Sequence, residues 1–145
     1  MSLALETKLD VNLRVGDLEK SCRWYETVFS TQPIYRGVDR SVDGVATELA
    51  CFRLGGVKIW LYPETGAERL NSQQRQTVGL AFMTWQPLAE LRAQLCQHQV
   101  AFEDSEIPGF PMDEYGVRIG KDAEFLYIMD PDGYKLEFCR VFPQS

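Results

Sequence analysis

The sequence predicts an α+β fold made of two copies of one βαβββ module, and three observations lead to this prediction. Strand-like and helix-like segments of the first half of the chain recur in the same order in the second half. The last strand of each half carries the pattern G-x-K-[I/L]-x-[L/F], at residues 56–61 and 133–138. The chain has 145 residues, 45% of them hydrophobic, which suits a single domain, 1–145, with a sizeable core.

The first module is predicted over residues 6–65. Its first segment alternates apolar and polar side chains, as a strand with one buried face does. Apolar residues at helical spacing follow, and two glycines farther on favour a tight hairpin between two strands. The elements are a strand at Val11–Val15, a helix capped by Asp17, and strands at Thr47–Leu54 and Val57–Tyr62 joined at Gly55-Gly56.

The second module is predicted over residues 77–143, after a polar linker at 66–76. It repeats the strand and the helix, and it ends in a hairpin whose turn has four turn-forming residues in succession. The elements are strand Val78–Thr84, a helix that starts after Pro87, strands Val100–Phe102, Glu124–Met129 and Tyr134–Val141, and the turn Asp130–Gly133. The alternative is a single ferredoxin-like sheet in which the likeness of the two halves is coincidental.

Charge and hydropathy narrow the possible partners. The net charge of −6 would repel the phosphates of nucleic acid, so we expect no nucleic-acid partner. The same acidity would favour a cationic ligand, or it serves only solubility. No apolar run reaches the roughly 18 residues of a membrane span, and residues 1–10 do not resemble a secretion signal. We therefore expect a cytoplasmic protein without a membrane partner.

The four cysteines form no C-x-x-C pair, and each falls in an apolar periodic segment. They are predicted to be reduced and mostly buried. They are Cys22, Cys51, Cys96 and Cys139.

Two motifs at opposite ends of the chain carry a family resemblance. Residues 11–21, followed by Trp24-Tyr25, resemble the pattern L-x-V-x-D-L-x-x-S-x-x-F-Y, and Asp130–Gly133 with Leu136-Glu137 resembles D-P-D-G-x-x-L-E. Both patterns are typical of the vicinal-oxygen-chelate superfamily, which contains glyoxalases, bleomycin resistance proteins and extradiol dioxygenases. The resemblance implies that each module has a curled mixed sheet, that the paired modules form a cleft, and that two chains associate as a homodimer. Pairing of modules within a chain or between chains stays open.

The resemblance also implies where a metal would bind. Metal-using members place histidine on the inward face of the first strand of each module and glutamate on the last. Side chains alternate along a strand, so Asp10 takes the position of the first histidine, with Asn12 and Arg14 on the same face. In the second module, the corresponding position is Gly79 or Thr77.

In the last strand of the second module, Glu137 takes the carboxylate position. Trp60 takes the corresponding position in the last strand of the first module. His98, the single histidine, is predicted to have a structural or surface role near the end of the second helix. Zinc, iron or nickel sites need several nitrogen or sulfur ligands, so we expect no metal cofactor. The alternative is an oxygen-ligand site for Mg or Mn at Asp10 and Glu137.

The remaining inward-facing side chains combine aromatic rings with charges of both signs, which suits a flat organic ligand. The predicted ligand-binding residues are Asp10, Asn12, Arg14, Trp60, Tyr62, Tyr115, Lys135, Glu137 and Cys139. Alternatively, Lys58 and Lys135 neutralise Asp10 and Glu137 in ion pairs that only stabilise the sheets. The segment Ser105–Gly120 is longer than a strand connection requires, and it is a cleft lid, rim decoration or a dimer contact.

Two functions follow as expectations. The first is a metal-independent binder, resembling bleomycin resistance proteins, that sequesters a cationic or aromatic ligand in the cleft. The second is a glyoxalase-like or dioxygenase-like metalloenzyme with a degenerate oxygen-ligand site, in which Glu137 is the catalytic residue. Fold alone does not choose between them.

Overall fold

The computed structural model describes residues 9–39, 46–64, 70–76 and 79–143, and the chain divides into two compact units, Met1–Arg69 and Leu70–Ser145. Each unit contains its own mixed sheet and at least one helix. The predicted α+β fold with two mixed sheets is confirmed. Residues 66–69, Thr77 and Val78, which figure in the predicted linker and second module, lie outside the described residues.

The first unit has the βαβββ order that the sequence predicts. Its elements are β1 (Asp10–Val15), α1 (Leu18–Phe29), β2 (Tyr35–Asp39), β3 (Thr47–Leu54) and β4 (Val57–Pro63). The strands lie in the order β1-β4-β3-β2, with β1 parallel to β4 and the other pairs antiparallel. The residue pattern does not locate β2 in advance, because its stretch is polar and only half-buried or exposed.

Local signals determine where α1 begins and ends. The side chain of Asp17 accepts a hydrogen bond from the backbone N–H of Lys20 at 2.9 Å, so the helix carries its own N-cap. Ser30 ends the helix in a left-handed conformation, with φ of 48°. The buried face of α1, which includes Cys22 and Tyr25, packs on β3 and β4.

The second unit repeats this arrangement with two additions. Its elements are α2 (Ser72–Gln76), β5 (Gly79–Met83), α3 (Leu88–Cys96), β6 (Ala101–Phe102), β7 (Arg118–Ile119), β8 (Ala123–Met129) and β9 (Lys135–Val141). The sheet order is β5-β9-β8-β6, and β7 also pairs with β8. One continuous strand, β2, borders β3 in the first unit, whereas two short strands, β6 and β7, pair with β8 here. The segment between those short strands is the long stretch noted in the sequence.

Helix α3 takes its N-terminal cap from a distant strand. Pro87 precedes the helix and makes no side-chain cap, but Glu124 Oε1 in β8 accepts a hydrogen bond from the Leu88 N–H at 2.8 Å. The same oxygen accepts a hydrogen bond from Arg140 Nη1 at 3.2 Å. Glu124 is only 8% exposed, and its charge is compensated by these two partners.

The short helix α2 lies within the predicted linker. Asn71 Oδ1 accepts from the Gln74 N–H at 2.8 Å, and Gln74 Oε1 accepts from the Asn71 N–H at 2.9 Å. This reciprocal pair is a capping box. The spacing Asn-x-x-Gln is the sequence signal that could have predicted the helix.

The cysteines are mostly buried, as the sequence predicts. All four are free, and Cys22, Cys51 and Cys139 are buried as expected. Cys96, the last residue of α3, is exposed, whereas Leu88 and Leu95 are the buried residues of that helix. Within the described part of the chain, no helix has the length and apolar character needed to cross a membrane.

Candidate functional site

In the first unit, the strand register brings six predicted side chains onto one face of the sheet. Because directly paired residues of neighbouring strands point to the same side, β1 and β4 form a two-column surface opposite the buried Leu13 and Val15. We call it the first-unit face. Its paired residues are Asp10 with Lys58, Asn12 with Trp60, and Arg14 with Tyr62.

Asp10 and Trp60 are joined directly. The Trp60 indole Nε1–H donates a hydrogen bond to Asp10 Oδ2 at 3.1 Å. On the other side of Trp60, the ring of Tyr35 lies 5.9 Å from it, centroid to centroid, at an interplanar angle of 53°. The result is an aromatic pair with a carboxylate at one end. Tyr35 was not among the predicted ligand-binding residues, since β2 was not located.

A second aromatic ring on the first-unit face already holds a cation. The guanidinium carbon of Arg14 lies 5.5 Å from the centroid of the Tyr62 ring, within cation–π distance. Among the described residues, the ion pair considered between Lys58 and Asp10 is not formed; the indole of Trp60 takes its place at the carboxylate.

The second unit has an equivalent surface on β5 and β9, which we call the second-unit face. Gly79 pairs with Lys135, Ala81 with Glu137 and Met83 with Cys139. Lys58 and Lys135 occupy the same place in the repeated G-x-K pattern. Asp10 pairs with Lys58 in the first unit, and Gly79 pairs with Lys135 in the second. The pairing therefore selects Gly79, which has no side chain to bind a ligand, as the counterpart of Asp10.

Tyr127, on the neighbouring strand β8, borders the second-unit face. It pairs with Glu137 across β8 and β9. Lys135 Nζ lies 4.7 Å from the centroid of its ring, and the guanidinium carbon of Arg118 lies 4.9 Å from it. Burial raises the pKa of the Tyr127 phenol, and so do the negative charge of Glu137 and the hydrogen bond to it. The phenol therefore stays protonated at neutral pH and can donate to the carboxylate.

Cys139 is the thiol of the second-unit face. It is buried, and its pKa is raised first by that burial and then by the negative charge of Glu137. A nucleophilic thiolate needs the opposite electrostatic environment. These surroundings favour a packing role for Cys139.

Neither face by itself has the donor set of a metal site. Among the residues the structure describes, no group of three or more His, Cys, Asp or Glu side chains is placed to hold an ion. Asp10 has an indole N–H at its carboxylate, and Glu137 has a phenol beside it. His98 is exposed just after α3, as expected of a surface residue.

The segment Ser105–Gly120 is held at several points. Arg92 Nη1 and Nη2 donate to the two carboxylate oxygens of Asp104 at 2.8 and 2.7 Å, and Nη1 also donates to the Gly116 carbonyl at 2.9 Å. The ring of Phe110 packs edge-on against Phe125, 5.5 Å between centroids. The segment is thus a folded loop with defined contacts to α3 and the sheet.

Tyr115 lies on this loop, and Arg118 lies on the short strand β7. Tyr115 is 61% exposed at a turn of the loop, where its backbone N–H donates a hydrogen bond to Asp113 Oδ1 at 2.9 Å. Arg118, absent from the predicted set, is 2% exposed and reaches the Tyr127 ring. No pattern around Arg118 could have located it, because β7 has only two residues and its pairing with β8 is long-range.

The solved structures that are similar to this chain include the following three. A glyoxalase/bleomycin resistance protein/dioxygenase domain from Frankia sp. EAN1pec is 21% identical, with a TM-score of 0.64 over 99% of this chain and 96% of that one. The fosfomycin resistance protein FosX from Listeria monocytogenes, solved with Mn(II) and sulfate, is 16% identical, with a TM-score of 0.62 over 96% and 93%. A virulence protein from Salmonella typhimurium is 20% identical, with a TM-score of 0.55 over 96% and 99%. At these identities, the likeness concerns the fold.

A family model gives the assignment. The model described as Glyoxalase/Bleomycin resistance protein/Dioxygenase superfamily matches residues 9–138, which is nearly the whole chain and includes both units. The match agrees with the motifs at the two ends of the sequence and with the repeated sheet. This chain belongs to the glyoxalase/bleomycin resistance protein/dioxygenase superfamily.

Proposed function

We propose that this protein is a metal-independent binder that sequesters a small cationic or aromatic molecule. The observation that carries the proposal is the first-unit face, where the Trp60 ring lies between Tyr35 and the carboxylate of Asp10. Aromatic rings provide area for a flat ligand, and a carboxylate beside them provides attraction for its positive charge. The net charge of −6 favours the approach of such a ligand.

Arg14 and Tyr62 support the same chemistry. Their 5.5 Å contact is a cation–π interaction within this surface, which supports the proposal that its rings can hold a cationic ligand. We propose that Asn12, between the two aromatic positions, supplies a neutral hydrogen-bonding group. We also propose a ligand-binding role for Lys135, Glu137 and Cys139 on the second-unit face, as a surface of that unit alone, with Glu137 as its negative charge.

Metal independence is part of the proposal. It is supported by the donor sets of the two faces, since no group of three or more His, Cys, Asp or Glu side chains is placed to hold an ion among the described residues. The alternative is a metalloenzyme that holds Mg or Mn through Asp10 and Glu137, with Glu137 catalytic. FosX, solved with Mn(II), is a precedent for a metal in this fold, and that metal is a property of FosX.

Ligand titration tests the proposal. Proflavine, a planar aromatic cation, should bind stoichiometrically in calorimetry, with the same affinity in the presence and absence of EDTA. Trp60→Leu should weaken binding about tenfold, because it removes a stacking surface worth about 1 kcal/mol or more. Trp85→Leu is the matched control: Trp85 is 92% exposed and belongs to the second unit, so its loss should leave the affinity unchanged.

Two results would count against this function. The first is the absence of heat or thermal shift with proflavine and other planar cations. The second is stoichiometric Mn or Mg that survives dialysis and disappears in Glu137→Gln together with turnover, which would establish the metalloenzyme instead. Homodimerisation and a cytoplasmic location remain proposals, and light scattering on the purified protein tests the first of them.

A further inference from the structure

The first-unit face continues from β1 and β4 across β3 to β2, because the sheet order is β1-β4-β3-β2. Paired residues of neighbouring strands point to the same side of the sheet, so they form rows across this face. One row, which we call the charged row, consists of Arg53, Lys58 and Asp10. The next row, which we call the aromatic row, consists of Tyr35, Cys51, Trp60 and Asn12. The two rows lie about 7 Å apart, because they are separated by two residues along each strand.

The charged row contains two cations and one anion that are not paired with one another. Within the described part of the chain, neither Lys58 nor Arg53 forms an ion pair. Asp10 Oδ2 accepts the hydrogen bond of the Trp60 indole, whereas Asp10 Oδ1 accepts none from those same residues. Asp10 and Arg53 are exposed, and Lys58 is half-buried. The row therefore presents a positive and a negative group on adjacent strands, each with bonding capacity left.

The thiol of Cys51 indicates that these charges lie close together. Its pKa is raised first by burial, and the nearby charges act on it as well: Lys58 and Arg53 lower it, and Asp10 raises it. All three charges of the charged row are thus within electrostatic range of one sulfur atom in the aromatic row.

Other charges on strand positions of this face lie farther away. Arg14 on β1 and Asp39 on β2 both come after the aromatic row, on the side opposite the charged row. The charged groups next to the near side of the Tyr35–Trp60 pair are therefore those of the charged row.

The two rows together match the chemistry of an aromatic α-amino acid. Its ammonium and carboxylate groups are attached to one carbon atom, so they require an anion and a cation that lie close together. Its ring is attached through one further carbon, so it requires a flat apolar surface beside those charges. The rings of Tyr35 and Trp60, with centroids 5.9 Å apart, provide such a surface.

We propose that the first-unit face binds a zwitterionic aromatic amino acid, with its ammonium group at Asp10, its carboxylate at Lys58 and its ring on Trp60 and Tyr35. Arg53 adds positive potential on the carboxylate side. This inference rests on the proposed function, since it narrows the ligand of the same face to an aromatic molecule that carries both charges. An aromatic cation without a carboxylate would meet the repulsion of Lys58 and Arg53, so it binds there less tightly.

Calorimetry with three related ligands tests the inference. L-Phenylalanine carries both charges, phenethylamine lacks the carboxylate, and 3-phenylpropionate lacks the ammonium group, while the ring and its two-carbon chain stay the same. Near neutral pH, phenylalanine should bind with a Kd of about 0.1 mM. Its affinity should be at least about tenfold higher than that of either other ligand, because each charge-assisted contact contributes about that factor.

Two variants assign the charges. Lys58→Gln should reduce the advantage of phenylalanine over phenethylamine to about threefold or less, and Asp10→Asn should do the same to its advantage over 3-phenylpropionate. Lys20→Gln is the matched control: it removes one positive charge from an exposed position on α1, so all three affinities should stay the same.

The outcomes separate this inference from the proposed function. Phenylalanine that binds no tighter than phenethylamine would overturn the inference, and binding of proflavine to the same protein would leave the proposed function standing. An undiminished advantage of phenylalanine in a folded Lys58→Gln protein would also overturn the inference. Failure of proflavine and of all three ligands to bind at up to about 10 mM would reject both.

Discussion

The indole N–H of Trp60 donates a hydrogen bond to Asp10 Oδ2 at 3.1 Å, linking the edge strand β1 to β4. Asp10 stands where metal-using members of the superfamily carry their first histidine, by resemblance. In this chain, the group facing that position is a hydrogen-bond donor with no lone pair for a cation. The contact thus converts a potential ligand position into an oriented aromatic surface.

Quenching of Trp60 fluorescence measures this contact. In a Trp24→Phe, Trp85→Phe background, Trp60 is the single tryptophan. Adding Asp10→Asn should increase quenching by iodide about twofold, because a negative charge 3.1 Å from the indole no longer repels the anion. Quenching by neutral acrylamide should stay the same. Equal iodide quenching in both proteins would mean that Asp10 is not at the indole in solution.

Gly109 and Gly116 lie in the loop that Arg92 contacts, and replacing each by alanine should reduce stability by a different amount. Gly116 and Gly109 both have positive φ, 78° and 84°, so alanine is strained at either. A Cβ at Gly116 would lie 2.6 Å from Arg92 Cζ, whereas one at Gly109 would meet nothing within 4 Å. We expect Gly109→Ala to cost about 1 kcal/mol and Gly116→Ala about 2 kcal/mol or more in urea unfolding. Equal costs would show that Arg92 can leave its place freely.

The cap of α3 predicts a large effect at a single carboxylate. Glu124→Ala should lower the free energy of unfolding by about 2 to 3 kcal/mol, since it leaves the buried Leu88 N–H and the half-buried Arg140 without their acceptor. Glu124→Gln should recover part of this loss, because its amide oxygen still accepts from Leu88. Glu90 is an exposed residue in the first turn of the same helix, so Glu90→Ala should cost only a few tenths of a kcal/mol. Denaturant melts of the three variants provide the measurement.

Thiol labelling tests the burial of the cysteines. Cys96 is exposed, whereas burial raises the pKa of Cys22, Cys51 and Cys139. At pH 8, one thiol per chain should react rapidly with Ellman's reagent, and all four should react in guanidinium chloride. Cys96→Ser should abolish the rapid phase. A second fast thiol in that variant would contradict the packing described around the buried sulfurs.

Alternation along strands accounts for what could be predicted from the sequence. It placed Asp10, Asn12 and Arg14 on the face opposite Leu13 because side-chain parity is a local property. Position along the repeat also placed Glu137 and Trp60 at matching strands. The tandem order of elements was equally readable, since each element carries its own periodicity.

The contacts that could not be predicted from the sequence depend on long-range strand pairing. Tyr35 reaches Trp60 only because β2 borders β3, and Arg118 reaches Tyr127 only because a two-residue strand pairs with β8. β2 and β7 are too short, and their apolar and polar residues alternate too little, to produce a periodic pattern. Strand pairing also decides which residue of the second unit corresponds to Asp10. The sequence leaves Gly79 and Thr77 open, and the pairing with Lys135 selects Gly79.

The cap supplied by Glu124 has a consequence for biosynthesis. Helix α1 carries its own cap, Asp17, so it can begin to form as soon as it leaves the ribosome. Helix α3 must wait for a residue synthesised 36 positions later than Leu88. We expect arrested nascent chains that expose residues up to about 115 to protect the amides of α1 but not those of α3 from hydrogen exchange. The two halves repeat one architecture, yet the first can start folding from its helix while the second must fold as a whole.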